Sequence, residues 1–360
     1  MATAPDSIAS PALRVGRIAG VRGAATRLSI VGFVALGMAL ILGVGLGSVA
    51  VAPGDTIGIL AHRLLGLDVP GTWSPAAETI VVDLRLPRVL TSMLVGMGLA
   101  VAGVTFQGLL RNPLADPYVL GTASGAALGA AIAVLIPVHI VVLQFGLLHG
   151  LAFVGALLAI YVVYKLSRLG GTSPMTSLLL TGYAVGSLLA AGLAMAMYLS
   201  GTALRQIFDF LLGGFDGATW QRLAATVPLV VGGSILILLR ARSLNAMLLG
   251  EETASHLGID VRRERAILLG LASLVTAAAV AVSGLIGFIG LVVPHVVRLV
   301  VGPSARLVLP LSALGGAVLL AYADIAARLM GDIPVGVVTA VIGAPFFLFI
   351  LRRARSGYEV

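Results

Sequence analysis

The chain has 360 residues, of which 59% are hydrophobic and 11% charged, and its mean hydropathy is +1.09. Soluble domains carry about a quarter charged residues, so this composition excludes a soluble globular protein and a disordered one alike. The formal charge of +8 comes from 23 basic and 15 acidic residues; in so apolar a chain it reports which side of a membrane each arginine occupies, and no nucleic-acid partner is expected.

Residues 1–27 are polar and carry Arg14, Arg17, Arg22 and Arg27. They read as a disordered cytoplasmic basic tail lying against anionic lipid. An uncharged run follows over 28–52. A signal peptide would have a shorter apolar core and a small-residue cleavage site, whereas a spanning helix needs about 20 apolar residues, so a first retained span is predicted at 30–50. Later uncharged runs predict spans at 89–110, 119–137, 149–166, 176–199, 222–240, 266–283, 287–301, 308–326 and 335–351, ten in all. The run 117–164 is divided near Pro137, His139 and His149, and the run 266–297 turns near 283–287.

Charge placement tests that count. With the N-terminus inside, 17 basic residues fall on the cytoplasmic side and six outside: Arg63, Arg85, Arg88, Arg205, Arg222 and Arg328. That is the positive-inside pattern. Both termini are arginine-rich and belong inside, which requires an even number of spans. Residues 28–353 thus read as a membrane domain and 354–360 as a second cytoplasmic tail.

Several chemistries lack their residues. Without cysteine there are no disulfides, thiolate metal sites or cysteine nucleophiles. The only lysine is Lys165, and no phosphate loop precedes it. No HExxH motif, carboxylate pair within a span or serine–histidine–aspartate set stands out, so no catalytic residue, cofactor or metal is expected. The 46 glycines, lacking a triplet period, suit close-packed membrane helices. Asp324 has two readings: an ion pair with Arg328 one helical turn away, or a pathway carboxylate of an ion-coupled secondary transporter. His62, His139, His149, His256 and His295 show no metal-ligand spacing; His295 follows Pro294 and suits a helix kink.

Three stretches carry more information. FQGLLRNPLADPYVLGTASGA at 106–126 stops one span and starts the next, since residues before Pro113 and Pro117 avoid the helical region and Asn112 and Asp116 favour a tight turn. It is either a plain hairpin or the border of a pathway. GEETASHLG at 250–258 has Glu251 and Glu252 where a helix dipole favours acids and Leu257 before a stop at Gly258. A short helix with Ala254 and Leu257 on one face is predicted, inside an ordered excursion over about 241–265. The third is GFIGLVVPHVVR at 287–298 with ADIAAR at 323–328 and PVGVVTAVIGAPFFLFILRR at 334–353.

Together with RLPRVL at 85–90, these motifs resemble the FecCD-type permeases of ATP-binding-cassette importers for iron–siderophores, haem and vitamin B12, over about residues 30–353. The resemblance implies an all-α, ten-helix polytopic membrane protein like the vitamin B12 importer permease, in the bacterial cytoplasmic membrane with both termini inside. It implies a homodimer with two cytoplasmic ATPase subunits and an extracytoplasmic binding protein, the permease itself not being an enzyme. Gly250, Glu251, Glu252, Ala254, Leu257 and Gly258 match the coupling helices that dock on the ATPase. Asn112, Pro113, Leu114, Thr176 and Ser177 match the inner gate, and Arg85, Arg88 and Arg328 match outer arginines that meet binding-protein glutamates. Local pairs of Asp83 with Arg85 and of Asp324 with Arg328 remain the other reading of these arginines. The path would run at the dimer interface, along the fifth and tenth spans. The implied substrate is a ferric siderophore, with haem or vitamin B12 as alternatives. An ion-coupled transporter would show coupling-ion ligands near the midplane, and a membrane enzyme a buried acid, histidine or metal cluster; the sequence displays neither.

Overall fold

Apolar helices dominate the computed structural model, which describes residues 11–47, 49, 51–68, 71, 73–136, 141–142, 145–168 and 174–355. The expected turn at Pro137 and His139 and the outermost parts of both tails lie outside the described residues.

The first helix, α1 (Pro11–Gly45), differs from the expected disordered tail and span, because helical backbone runs unbroken from Pro11 through the basic segment. Pro11 opens it at the position where proline is tolerated, and alanine, leucine and arginine sustain it. A short α2 (Pro53–Leu65) and α3 (Pro75–Thr79) lead through a π-helical turn (Ile80–Arg85) into α4 (Leu86–Leu109). After the 110–121 hairpin come α5 (Thr122–Leu135), a two-residue antiparallel ribbon of β1 (Val141–Val142) and β2 (Phe145–Gly146), α6 (Leu147–Ser167) and α7 (Pro174–Leu199). Helix α8 (Leu204–Leu212) lies between α7 and α9 (Trp220–Leu239), which is followed by α10 (Ala241–Leu248) and α11 (Glu251–His256). The chain closes with α12 (Val261–Ser283), α13 (Ile289–Val301), α14 (Ala305–Leu329) and α15 (Val335–Arg355).

Seven helices are long and apolar enough to cross a membrane, and three shorter apolar helices, Thr122–Leu135, Ile289–Val301 and Val335–Phe349, bring the described set to the ten expected. Helix α4 is the axis of the bundle, 89% buried over its apolar window, whereas α1 and α7 are each 17% buried and lie at the periphery. Small residues let the neighbours of α4 approach it. A methyl group at Gly96 would strike the Gly316 carbonyl of α14, and one at Gly103 the Gly290 carbonyl of α13.

Helices α5 and α13 have 14 and 13 residues. At about 1.5 Å per residue each rises only about 20 Å, against a hydrocarbon core of about 30 Å. An irregular segment precedes each helix: 117–121 before α5 and 284–288 before α13. Backbone groups at such depth must find partners inside the protein. Tyr118 Oη donates to Ile286 O at 3.0 Å and accepts from Ile286 N at 3.2 Å, so one side chain from the first segment satisfies both backbone groups of a residue in the second. Leu285 N donates to Phe210 O at 3.2 Å, and Gly214 N to Ser283 O at 2.8 Å.

Candidate functional site

The two ends of the bundle hold different chemistry. One end carries Arg85, Arg88 and Arg328, the last two grouped around a buried carboxylate. Asp324 has a side chain with no exposure and lies between two guanidiniums: Arg88 Nε is 2.9 Å from Oδ1, and Arg328 Nε is 3.2 Å from Oδ2. Arg88 Nη1 also pairs with Asp216 Oδ1 at 2.5 Å, and Arg328 Nη1 donates to Leu46 O at 2.9 Å. Of the two readings of Asp324, the geometry is that of the ion pair, extended to a second arginine from α4.

Arg85 departs from the expected exposed rim. It is buried, and its guanidinium donates to the carbonyls of Val44 at 3.0 Å, Gly45 at 2.9 Å and Val49. The alternative pair with Asp83 is not formed among the salt bridges of the described residues. Residues two apart on a helix point in different directions, and the π-helical turn aims Arg85 at the carbonyl-rich end of α1, where a cation is favoured. Asp216 was missed by sequence reasoning. It sits in the 213–219 loop, 80% exposed, and brings the only open carboxylate of the group to Arg88. Nothing local marks it, since its partner is on a helix remote in sequence.

The opposite end carries the hairpin, the start of α7 and the α10–α11 excursion. Asn112 Oδ1 accepts from Leu114 N at 2.9 Å and Asp116 Oδ1 from Tyr118 N at 2.8 Å, the two side-chain-closed turns that the sequence leads one to expect. Burial pushes the Asp116 carboxyl up to about 6, against the lowering effect of the Tyr118 amide. Asn112 and Pro113 are exposed and Leu114 half-buried. Thr176 is exposed on the first turn of α7, while Ser177 is buried and its hydroxyl donates to Ser167 O at 2.8 Å, tying α7 to the end of α6. The hairpin meets α7 higher up, where Gly182 leaves room for Val119 and Leu120.

The 250–258 stretch forms its short helix as expected, with Gly250 entering at φ 121° and Gly258 leaving at φ 79°. One detail differs. Ala254 is fully buried, whereas Leu257 is 63% exposed, because Leu257 follows the last helical residue and leaves the register that would have placed it beneath Ala254. Glu252 is exposed. Glu251 Oε1 pairs closely with Arg265 Nη2 of α12 and lies 3.9 Å from Arg111 Nη2. Asn245 Oδ1 accepts from Ala305 N at 2.7 Å, fastening α10 to the first turn of α14.

Residues 35–353 match the FecCD transport family. The chain is 46% identical over 301 residues to the cobalamin import system permease protein BtuC of Halobacterium salinarum, covering 83% of this chain and 79% of that one. It is 43% identical to the hemin transport system permease protein HmuU of Yersinia pestis, with 77% and 84% covered. Identity to the Fe(3+)-citrate import system permease protein YfmD of Bacillus subtilis is 37%, with 79% and 85% covered. Among solved structures, an ABC transporter in an inward-facing conformation superposes with a TM-score of 0.79 at 29% identity, covering 91% of this chain and 99% of that one. A bundle of ten apolar helices with these motifs in order, matched along nearly its whole length, belongs to the FecCD transport family and is a membrane permease of the ABC importer type.

Proposed function

We propose that the chain is the translocating subunit of an importer for a bulky metal chelate, working as a homodimer with two cytoplasmic ATPase subunits and an extracytoplasmic binding protein. The observation that carries the dimeric path is the bare face of α7. Tyr183, Leu188 and Tyr198 are 77%, 73% and 85% exposed, and Val341 and Phe349 of α15 are 68% and 60% exposed. A second copy seated on these helices would line a path between the two chains with apolar and aromatic surface, fit for a large ligand. The Arg111 end is assigned to the cytoplasm by its excess of basic residues, which puts both tails inside and the Arg328 end outside.

In this reading the 250–258 stretch docks on the ATPase, and the 111–117 turn with Thr176 and Ser177 closes the path from inside. Nucleotide binding moves the former, and the gate follows by alternating access. The group of Arg88, Arg328 and Asp216 receives the binding protein, while Arg85 holds the carbonyls of Val44, Gly45 and Val49 beneath it. Because the arginines are also held internally, the clean test is on the partner: replacing its surface carboxylates should abolish stimulation of ATPase activity and leave basal activity intact. Normal stimulation would remove the docking assignment.

For the substrate, similarity to the cobalamin and hemin permeases, at 46% and 43%, exceeds that to the Fe(3+)-citrate permease, at 37%. A vitamin B12 permease of Vibrio vulnificus stands at 37% as well, so the identities support a macrocyclic chelate alongside the ferric siderophore that the resemblance implies, without ranking the two. Titrating the binding protein with cobalamin, haem and a ferric siderophore, then following uptake into proteoliposomes, decides among them. Tight binding of the siderophore alone assigns a siderophore importer, and tight binding of cobalamin or haem alone a macrocycle importer. Uptake that needs an ion gradient and no ATP would overturn the importer mechanism.

A further inference from the structure

Arg111 closes the last turn of α4 and opens the hairpin, and it does so at φ 46°, in the left-handed region. A side chain with a Cβ is disfavoured there, and asparagine or glycine would sit more easily. The side chain held in this conformation crosses to another element. Its Nε donates to Met247 O at 3.0 Å, in the last turn of α10, and its Nη2 lies 3.9 Å from Glu251 Oε1 on the first residue of α11. Both anchor points flank Gly250, the corner between the two helices. Glu251 is in turn held by Arg265. The Met247 carbonyl belongs to the negative end of the α10 dipole, and a planar fork with its donors pre-arranged reaches the carbonyl and the carboxylate together.

We propose that Arg111 is the strut that transmits movement of the α10–α11 corner to the 111–117 hairpin. It is a positioning residue, touching no substrate, and acts on Asn112, Pro113 and Leu114 because it is their immediate neighbour in the chain. Displacing α11 by a few ångströms either breaks the guanidinium contacts or drags the hairpin along; with two anchor points and a backbone already in a restricted conformation, the hairpin follows. The inference rests on the coupling and gate roles proposed above for 250–258 and 111–117.

The test uses the full complex. Arg111→Asn removes the fork and tolerates the left-handed backbone. Assembly with the ATPase and basal ATP hydrolysis should persist, while ATP-driven uptake falls by roughly tenfold or more, a span typical of coupling between sites. A cysteine at Leu114, unique in a chain without native cysteine, should cease to change its labelling when nucleotide is trapped. Arg111→Lys, keeping the charge and one hydrogen bond, should fall between. Uptake and nucleotide-dependent labelling unchanged in Arg111→Asn would overturn the strut, as would loss of ATPase assembly in that variant. Should Arg111→Asn fail to insert, spin labels at Leu114 and Thr253 in the Arg111 protein decide: a constant separation between nucleotide states supports the strut, and a change of several ångströms overturns it. Failure of the underlying roles would show in the Arg111 protein itself, as Leu114 labelling that never changes or as normal assembly after deletion of 250–258.

Discussion

Asp324→Asn is the substitution whose cost can be worked most directly from the geometry. The wild-type carboxylate has no exposure and faces Arg88 at 2.9 Å and Arg328 at 3.2 Å, whose side chains are 15% and 6% exposed. The amide nearly preserves the shape and can still accept one hydrogen bond, so what is lost is charge. Two guanidiniums then share a buried site with no anion between them. Breaking a buried pair by removing one partner costs about 3–5 kcal/mol. Here the lower figure applies, since Arg88 keeps Asp216 at 2.5 Å and Arg328 keeps the Leu46 carbonyl at 2.9 Å. A loss of about 3 kcal/mol is expected, read as a lowered midpoint of thermal unfolding in detergent. Asp216→Asn is the internal control. That side chain is 80% exposed, so its pair should contribute only about 0–1 kcal/mol. If the two substitutions cost the same, the buried carboxylate is not the keystone of this end, and the argument from burial fails.

Three further outcomes follow from particular contacts. Tyr118→Phe strands both backbone groups of Ile286 and should destabilise the bundle by about 1–3 kcal/mol, measured by the same unfolding assay. Gly103→Ala forces a methyl against the Gly290 carbonyl and should cost about 1–3 kcal/mol, whereas Gly232→Ala, with nothing within 4 Å, should be neutral or slightly stabilising. The Asp116 carboxyl, raised to about 6 in the folded chain, binds its proton more tightly folded than unfolded. Stability therefore falls as pH rises from near 4 through about 6. Asp116→Asn should flatten that dependence, gaining over the parent at about pH 7.5 and not at about pH 4.5; equal pH profiles for the two proteins would contradict the burial argument.

Much of the architecture was legible from composition and local pattern. Ten apolar segments separated by charged ones, the two side-chain-closed turns at Asn112 and Asp116, and the short helix from Glu251 to His256 are set by residues within a few positions of one another. Hydropathy, turn chemistry and helix-end preferences act at that range. The family was legible for the same reason, because its motifs are continuous in sequence.

The tertiary structure alone decided which charges meet. Arg85 turns into the carbonyls of Val44 and Gly45, Arg88 reaches both Asp324 and Asp216, and Arg111 reaches Met247 and Glu251. Every one of these partners comes from a different helix or loop, brought close by packing that local propensity does not encode. The lengths of α5 and α13 were decided the same way. An apolar run shows that a segment can enter a membrane, but where its helix begins depends on whether a neighbour can satisfy an unwound backbone, as Tyr118 does for Ile286. Sequence hydropathy thus set the number of apolar segments, while side-chain partners from distant segments set how those segments are built and which charges meet at each end of the bundle.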